Sequence, residues 1–319
     1  MIIVTGANGF IGSAMVWELN RRGHTDILAV DSVPLSSRNL LARNQYARFY
    51  GHNELLEELP KLKNIEWVIH MGACSSTTET NWDFLRENNL EYSKKIFEFC
   101  RHSGANLIYA SSAATYGSGE KGFSDQTPPN LLKPLNLYGR SKLLFDEWVL
   151  EQNSTPSCWY GLKFFNVYGP HEYFKGPMAS VAYKAFHQIT KTGRLQLFRS
   201  HNPQYKDGEQ LRDFVYVKDV VQWMAELMEK RPQNGIYNMG FGKARTWLDL
   251  ASAVFSAINR PLQIDWIDIP ESIRDQYQYF TEADMTKWKS IGMPSPRWSL
   301  EEGIHDYVKN YLQESDSLL

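Results

Sequence analysis

The 319-residue chain reads as an α/β protein built on a doubly wound parallel sheet, with a smaller C-terminal lobe. Three observations predict this fold. A β-branched run ends in three glycines spaced three residues apart, an amphipathic stretch follows them directly, and short apolar runs then alternate with helix-period segments to about residue 165. Apolar residues make up 43% of the chain, enough for a sizeable core divided into two lobes.

Met1 to Thr5 is the first strand, Gly6-Ala-Asn-Gly9-Phe-Ile-Gly12 a tight turn, and the segment through Arg22, with Ile11, Ala14, Met15 and Leu19 on one face, a helix. Glycines allow a sharp turn and a close backbone approach to a pyrophosphate, whose charge is met by the amides and positive end of the helix. The second strand, Ile27 to Val30, ends in Asp31, placed to bond a ribose hydroxyl. Together these predict a Rossmann-type dinucleotide site. Glu66 to His70, Asn106 to Ser111 and Trp159 to Phe164 read as further strands, with helices near Asp83 to His102 and Asn136 to Asn153. Beyond residue 170 the pattern loosens: a helix from Met178 to Lys191, short strands near Gln196 and Phe214, and a helix from Lys218 to Lys230. Residues 1–170 are therefore expected to bind dinucleotide, with possible later returns of the chain to the sheet, and 171–319 to form mainly the substrate lobe.

A net charge of −2 gives no global attraction to nucleic acid or an anionic membrane, so bound phosphate must be held by local cations. Cys74, Cys100 and Cys158 have no metal-ligand spacing, the eight histidines form no metal pattern, and no metal is expected. The cysteines, the strand at residue 1 and the lack of a long apolar run fit a cytoplasmic protein. His70 and Cys74 read as a packed histidine and an inert thiol.

Tyr138-Gly-Arg-Ser-Lys142 places a phenol and an ammonium on one helix face, where the cation lowers the phenol's pKa and makes it an acid/base. Upstream, Tyr109-Ala-Ser111-Ser112 closes a strand, and Ser112 there can bond a reacting oxygen. Lys175, in N-V-Y-G-P-H-E-Y-F-K-G-P-M-A-S-V-A (Asn166 to Ala182), offers a second proton-transfer group, and inversion of one carbon needs one on each side.

These motifs, with G-A-C-S-S-T-T-E (Gly72 to Glu79), P-L-N-L-Y-G-R-S-K-L-L-F-D-E (Pro134 to Glu147) and R-D-F-V-Y-V (Arg212 to Val217), resemble the ADP-L-glycero-D-manno-heptose 6-epimerases, a group of extended short-chain dehydrogenase/reductases. The resemblance runs from residue 1 to Phe280-Thr-Glu-Ala-Asp, and the C-S-S-T-T-E and K-G-x-M-A-S-V-A strings are its narrow part. It implies an isomerase of an ADP-heptose serving the lipopolysaccharide inner core. C6 would be oxidised and re-reduced with bound NADP, NAD being the alternative. Tyr138 would act on one epimer and Lys175 on the other, with Ser112 bonding the oxygen and Lys142 tuning Tyr138.

Cofactor contacts implied by the resemblance are Gly6, Gly9, Phe10, Ile11, Gly12, Asp31, Ser32, Arg38, Met71, Gly72, Ala73, Cys74, Ser75, Asn88, Lys142, Val167 and Lys175; substrate contacts are Asn166, Lys184, Phe198, Arg199, Ser200, His201, Arg212 and Tyr277. A homo-oligomer, possibly a pentamer, is implied too. Arg38 stands where the family has a lysine, Asn53 near another, Pro177 in place of a serine and Lys184 in place of a histidine; the 199–209 loop is longer. Alternatives are a 4-epimerase, which needs no second base, and a non-catalytic NADP-binding protein. A 4,6-dehydratase would need an Asp-Glu pair where Ala113 and Ala114 stand.

Overall fold

A computed structural model describes residues 1–274, 277–314 and 317–319. In chain order its sheet and helix elements are β1 (Ile2–Thr5), α1 (Phe10–Arg21), β2 (Ile27–Asp31), β3 (Arg48–Gly51), α2 (His52–Glu58), β4 (Trp67–His70), α3 (Trp82–Leu85), α4 (Tyr92–Ser103), β5 (Asn106–Ser112), α5 (Leu137–Leu150) and β6 (Trp159–Phe164). There follow β7 (Asn166–Tyr168), α6 (Val181–Thr192), β8 (Leu195–Phe198), β9 (Leu211–Arg212), β10 (Phe214–Tyr216), α7 (Val217–Lys230), β11 (Gly235–Met239), β12 (Arg245–Thr246), α8 (Trp247–Ala257) and β13 (Ile264–Ile267).

Among the described residues seven strands form one parallel sheet, ordered β11-β6-β5-β4-β1-β2-β3. Because helices cover both faces, β1, β2 and β4 are buried along their whole length and read as continuous apolar runs rather than alternating ones. The chain leaves β1 towards β2 on one side and returns to β4 on the other, so the strand order reverses beside β1. That reversal opens a crevice at the carboxyl ends of β1 and β4. Two strands of this sheet escape the sequence reading. Short β3 forms an edge against β2, and β11 returns late in the chain to pair with β6, while α7 packs on α1.

The smaller elements pair as β7 with β10, β8 with β13 and β9 with β12. The helix expected from Met178 starts instead at Val181, capped by the Ser180 hydroxyl. Tyr173–Met178 forms a separate 3-10 turn, because Gly176 sits at φ +51 and Pro177 follows it. Between α3 and α4, Arg86–Glu91 winds as a π-turn.

A buried ion pair ties α5 to the sheet. Lys163 on β6 lies 2.6 Å from Asp146 and 2.7 Å from the Thr115 hydroxyl. Asp146 also accepts from Tyr109 (3.1 Å) and Ser111 (2.7 Å), so neither charge is left unpaired.

Candidate active site

The glycine turn is built by close approach. Gly6 takes φ +66, and a Cβ there would lie 2.7 Å from the Gly72 nitrogen, while a Cβ on Gly12 would lie 2.0 Å from the Gly6 carbonyl oxygen. Backbone blocks both positions, so only glycine fits. Helix α1 begins at Phe10 with no side-chain cap and no acidic residue in its first turn, which leaves its amides and dipole for an anion. These features fit a dinucleotide pyrophosphate. Asp31 is buried and already employed: one oxygen accepts from the Asn8 amide and the other from the Val33 amide, both at 2.9 Å, fixing the turn to β2. Each oxygen keeps a lone pair for a ribose hydroxyl.

The loop after β4 is held from below. His70 Nδ1 lies 2.6 Å from the Thr5 hydroxyl and Nε2 2.9 Å from the Ser93 hydroxyl, and Thr5 in turn accepts from the Gly72 amide. Burial pushes His70 down to about 3, so it is a neutral, satisfied core histidine, as its position in the sequence suggests. The Asn89 side chain bonds both the amide and the carbonyl of Cys74, and also Ser141 on α5. Sequence reasoning did not single out Asn89, which is buried on the π-turn beneath this loop, while Asn88, which it did choose, lines the cleft.

These elements wall a cleft of about 1000 Å³. Every residue expected to touch the cofactor lines it, as do Ser112, Tyr138, Lys142, Asn166, Lys175, Arg212 and Tyr277. Lys142 is buried and donates to the Ala110 carbonyl at 3.0 Å; burial lowers its pKa to about 8, against the opposing pull of Asp146. Tyr138 departs from expectation. Burial raises its phenol above the ordinary value, the neighbouring Ser112 hydroxyl lowers it and Cys74 raises it. The groups that act on the phenol are this serine and cysteine, while the Lys142 ammonium bonds a backbone carbonyl. Lys175 is half-buried, and its ammonium makes no hydrogen bond or ion pair among the described residues; it sits 5.3 Å from the centre of the Phe10 ring. Burial lowers its pKa, Glu172 raises it and Lys184 lowers it.

At the far end Arg212 is buried beside Trp247 and Tyr277, at 5.6 and 5.3 Å from their rings, and the Trp247 indole donates to the Tyr277 hydroxyl at 3.0 Å. Arg212 bonds the Leu211 and Gln278 carbonyls and meets no carboxylate among the described residues. Trp247 was missed by sequence reasoning, although its place directly after the capping residue Thr246 marked it as the first residue of a helix.

Five expected substrate contacts do not reach the cleft wall. Phe198 and Arg199 are committed to β13 through strand pairing and the Arg199 amide to the Ile267 carbonyl (2.8 Å). The Ser200 amide is held by Asp207 and the His201 amide by the Tyr279 hydroxyl, in the long loop. Lys184 turns back onto the Pro177 carbonyl. Phe198 meets Tyr277 edge-on, with ring centres 6.0 Å apart.

The sequence signature of the NAD dependent epimerase/dehydratase family matches residues 2–240. The chain belongs to this family. Within the family, it is 48% identical over the full length of both chains to the ADP-L-glycero-D-manno-heptose-6-epimerase of Fusobacterium nucleatum. The crystal structure of the Helicobacter pylori ADP-L-glycero-D-manno-heptose-6-epimerase superposes with a TM-score of 0.81 at 28% identity, covering 97% of this chain and 95% of that one. A Thermus thermophilus UDP-glucose 4-epimerase in complex with NAD gives a TM-score of 0.75 at 25% identity, covering 96% and 97%. Membership of this family accounts for the glycine turn as a nicotinamide-cofactor site. No helix among the described residues is long and apolar enough to cross a membrane, and no cluster of His, Cys, Asp and Glu there could hold a metal.

Proposed function

We propose that the protein is an isomerase that inverts C6 of the heptose in ADP-D-glycero-D-manno-heptose, yielding the L-glycero epimer for the lipopolysaccharide inner core. The observation that carries this reading is that Tyr138 and Lys175, whose ammonium is unpaired among the described residues, line one cleft. A 4-epimerase has no use for the second group.

Bound nicotinamide supplies a hydride acceptor and donor for the C6 hydrogen. The chain's own residues do the rest. Tyr138 takes the hydroxyl proton as one epimer is oxidised, Ser112 holds the oxygen by hydrogen bonding, and Lys142 presents a positive charge on the same helix face as the phenol. Lys175, whose pKa is lowered by burial, serves the oxygen of the other epimer from its own side of the carbon. Arg212, a buried guanidinium with no carboxylate partner among the described residues, suits the diphosphate, and Trp247 with Tyr277 offers a flat wall for the adenine. The cofactor in this reading is NADP: Arg38, whose pKa burial lowers and Asp31 in part restores, offsets that carboxylate near a 2′-phosphate. The same reading divides labour between residues 1–170 and the later chain, and includes a homo-oligomer, a pentamer by resemblance.

The test is incubation with ADP-D-glycero-D-manno-heptose, followed by proton NMR of the C6 configuration. Tyr138→Phe and Lys175→Met should each slow inversion by about 10²–10⁴-fold, the usual loss for an acid/base group. Near wild-type inversion by Lys175→Met would overturn the two-base mechanism.

A further inference from the structure

Phe174 is a large aromatic left 41% exposed on the turn that carries Lys175. Its ring is not bare. The Arg38 guanidinium lies over it, with Cζ 3.6 Å from the ring centre. Otherwise Arg38 is held through its side chain by one hydrogen bond, from Nε to the Asn8 carbonyl at 2.9 Å, and its two terminal amino groups meet no acceptor among the described residues. A guanidinium tied at Nε alone can pivot about that bond. Stacking on a ring fixes its plane, and a planar fork keeps both terminal amino groups free when it stacks, which a lysine ammonium cannot do.

The turn bearing Phe174 is itself anchored. Buried Glu172 accepts from the Gly169 amide (3.1 Å), the Ser180 amide and the Ser180 hydroxyl (2.7 Å), closing both ends of the segment. Arg38 and Phe174 both line the cleft, as does Phe10, beneath Lys175. The turn therefore reaches the dinucleotide groove through two adjacent residues, one against the glycine turn's helix and one against Arg38.

We propose that Phe174 is a positioning residue for cofactor selection, holding the Arg38 guanidinium so that its two terminal amino groups face the 2′-phosphate of NADP. The inference rests on the reading of Arg38 as the 2′-phosphate contact. NAD lacks that phosphate and gains nothing from the stack, so Phe174 affects the ratio of the two affinities rather than both together.

Full-length protein is equilibrated with a fixed mixture of NADP⁺ and NAD⁺, and the retained nucleotides are released by denaturation and quantified by chromatography, a readout independent of turnover. Phe174→Ala should lower the NADP-to-NAD ratio about fivefold, which corresponds to the ~1 kcal/mol of a partly exposed cation–π contact. Phe174→Leu, which keeps apolar bulk but no ring, should behave like alanine, and Phe174→Trp should restore the ratio. Thermal melts check that each variant is folded. In an Arg38→Ala background the Phe174 substitutions should have no further effect. If Arg38→Ala collapses the ratio while Phe174→Ala and Phe174→Leu leave it unchanged, the role of Phe174 is refuted and the reading of Arg38 stands. If Arg38→Ala itself leaves the ratio unchanged, that reading fails, and the inference with it.

Discussion

Replacing Gly12 with alanine tests the dinucleotide turn at its tightest point. The new Cβ would lie 2.0 Å from the Gly6 carbonyl oxygen, 2.6 Å from its carbon and 3.1 Å from the Ala7 Cα. Carbon and oxygen do not approach within about 3 Å, so the overlap is on the order of 1 Å and involves only backbone; no side chain can swing away. Relief requires the start of α1 to retreat from β1 by a similar distance. Overpacking of this kind costs ~1–3 kcal/mol of stability. The same retreat draws the α1 amides off the pyrophosphate, and losing one charge-assisted hydrogen bond costs about 1.5–3 kcal/mol, or roughly 10- to 10²-fold in cofactor affinity. Gly9→Ala is the internal control: its Cβ would meet the Gly6 oxygen at 3.0 Å, a contact that a shift of a few tenths of an ångström relieves. Urea denaturation and equilibrium dialysis against nicotinamide dinucleotide measure the two effects. Gly12→Ala binding as tightly as wild type at unchanged stability would refute the reasoning.

Asp146→Ala should cost ~3–5 kcal/mol in urea denaturation, because it strands the Lys163 ammonium in the core, whereas Asp146→Leu with Lys163→Met should recover much of the loss. His171 accepts from the Leu319 amide (2.8 Å) at Nε2 and lies 2.7 Å from the Ser13 hydroxyl through Nδ1, and burial lowers its pKa to about 3. It stays neutral in the fold while the unfolded chain takes up a proton below pH 6.5, so its contribution is present above that pH and lost below it. The stability advantage of wild type over His171→Gln should therefore shrink by ~1.4 kcal/mol per pH unit as pH falls from 6.5 towards 3, read from urea melts at pH 7, 6 and 5. Lys142, lowered to about 8, carries its charge below that pH and loses it above, so epimerisation should decline on the alkaline side of 8. Lys142→Arg, slower but charged throughout, should show no such decline in a pH–rate profile.

What was legible in the sequence was local. The glycine turn, Asp31 at the end of β2, and Tyr138 with Lys142 one helical turn apart each lie within a short segment whose geometry is fixed by its own residues. What escaped depends on distant chain. β11 is a five-residue run, Gly235–Met239, that becomes a sheet strand only because β6 offers it an edge. Asn89 faces the Cys74 loop because a π-turn adds a residue to the helix, which no periodicity reveals. Phe198 to His201 lie beside the right residues along the chain, yet β13 claims the backbone of the first two. The tyrosine–lysine pair shows the same limit in its energetics. Spacing puts the two groups on one face, but it is the Ala110 carbonyl, thirty-two residues upstream of Lys142, that accepts the ammonium's hydrogen bond.

The late return of β11 has a consequence for how the chain comes off the ribosome. When residue 164 has been made, β6 ends the sheet with an open row of backbone donors and acceptors, and the apolar face of α1 lacks α7. An open edge beside uncovered apolar surface is the arrangement that recruits other chains. The nascent protein must add some seventy-five further residues, to Met239, before that edge is closed. A ribosome stalled between these two points would release a fragment with most of the dinucleotide site but a sticky flank. Expression of residues 1–170 alone should accordingly give aggregates, while chains extended past β11 stay dispersed.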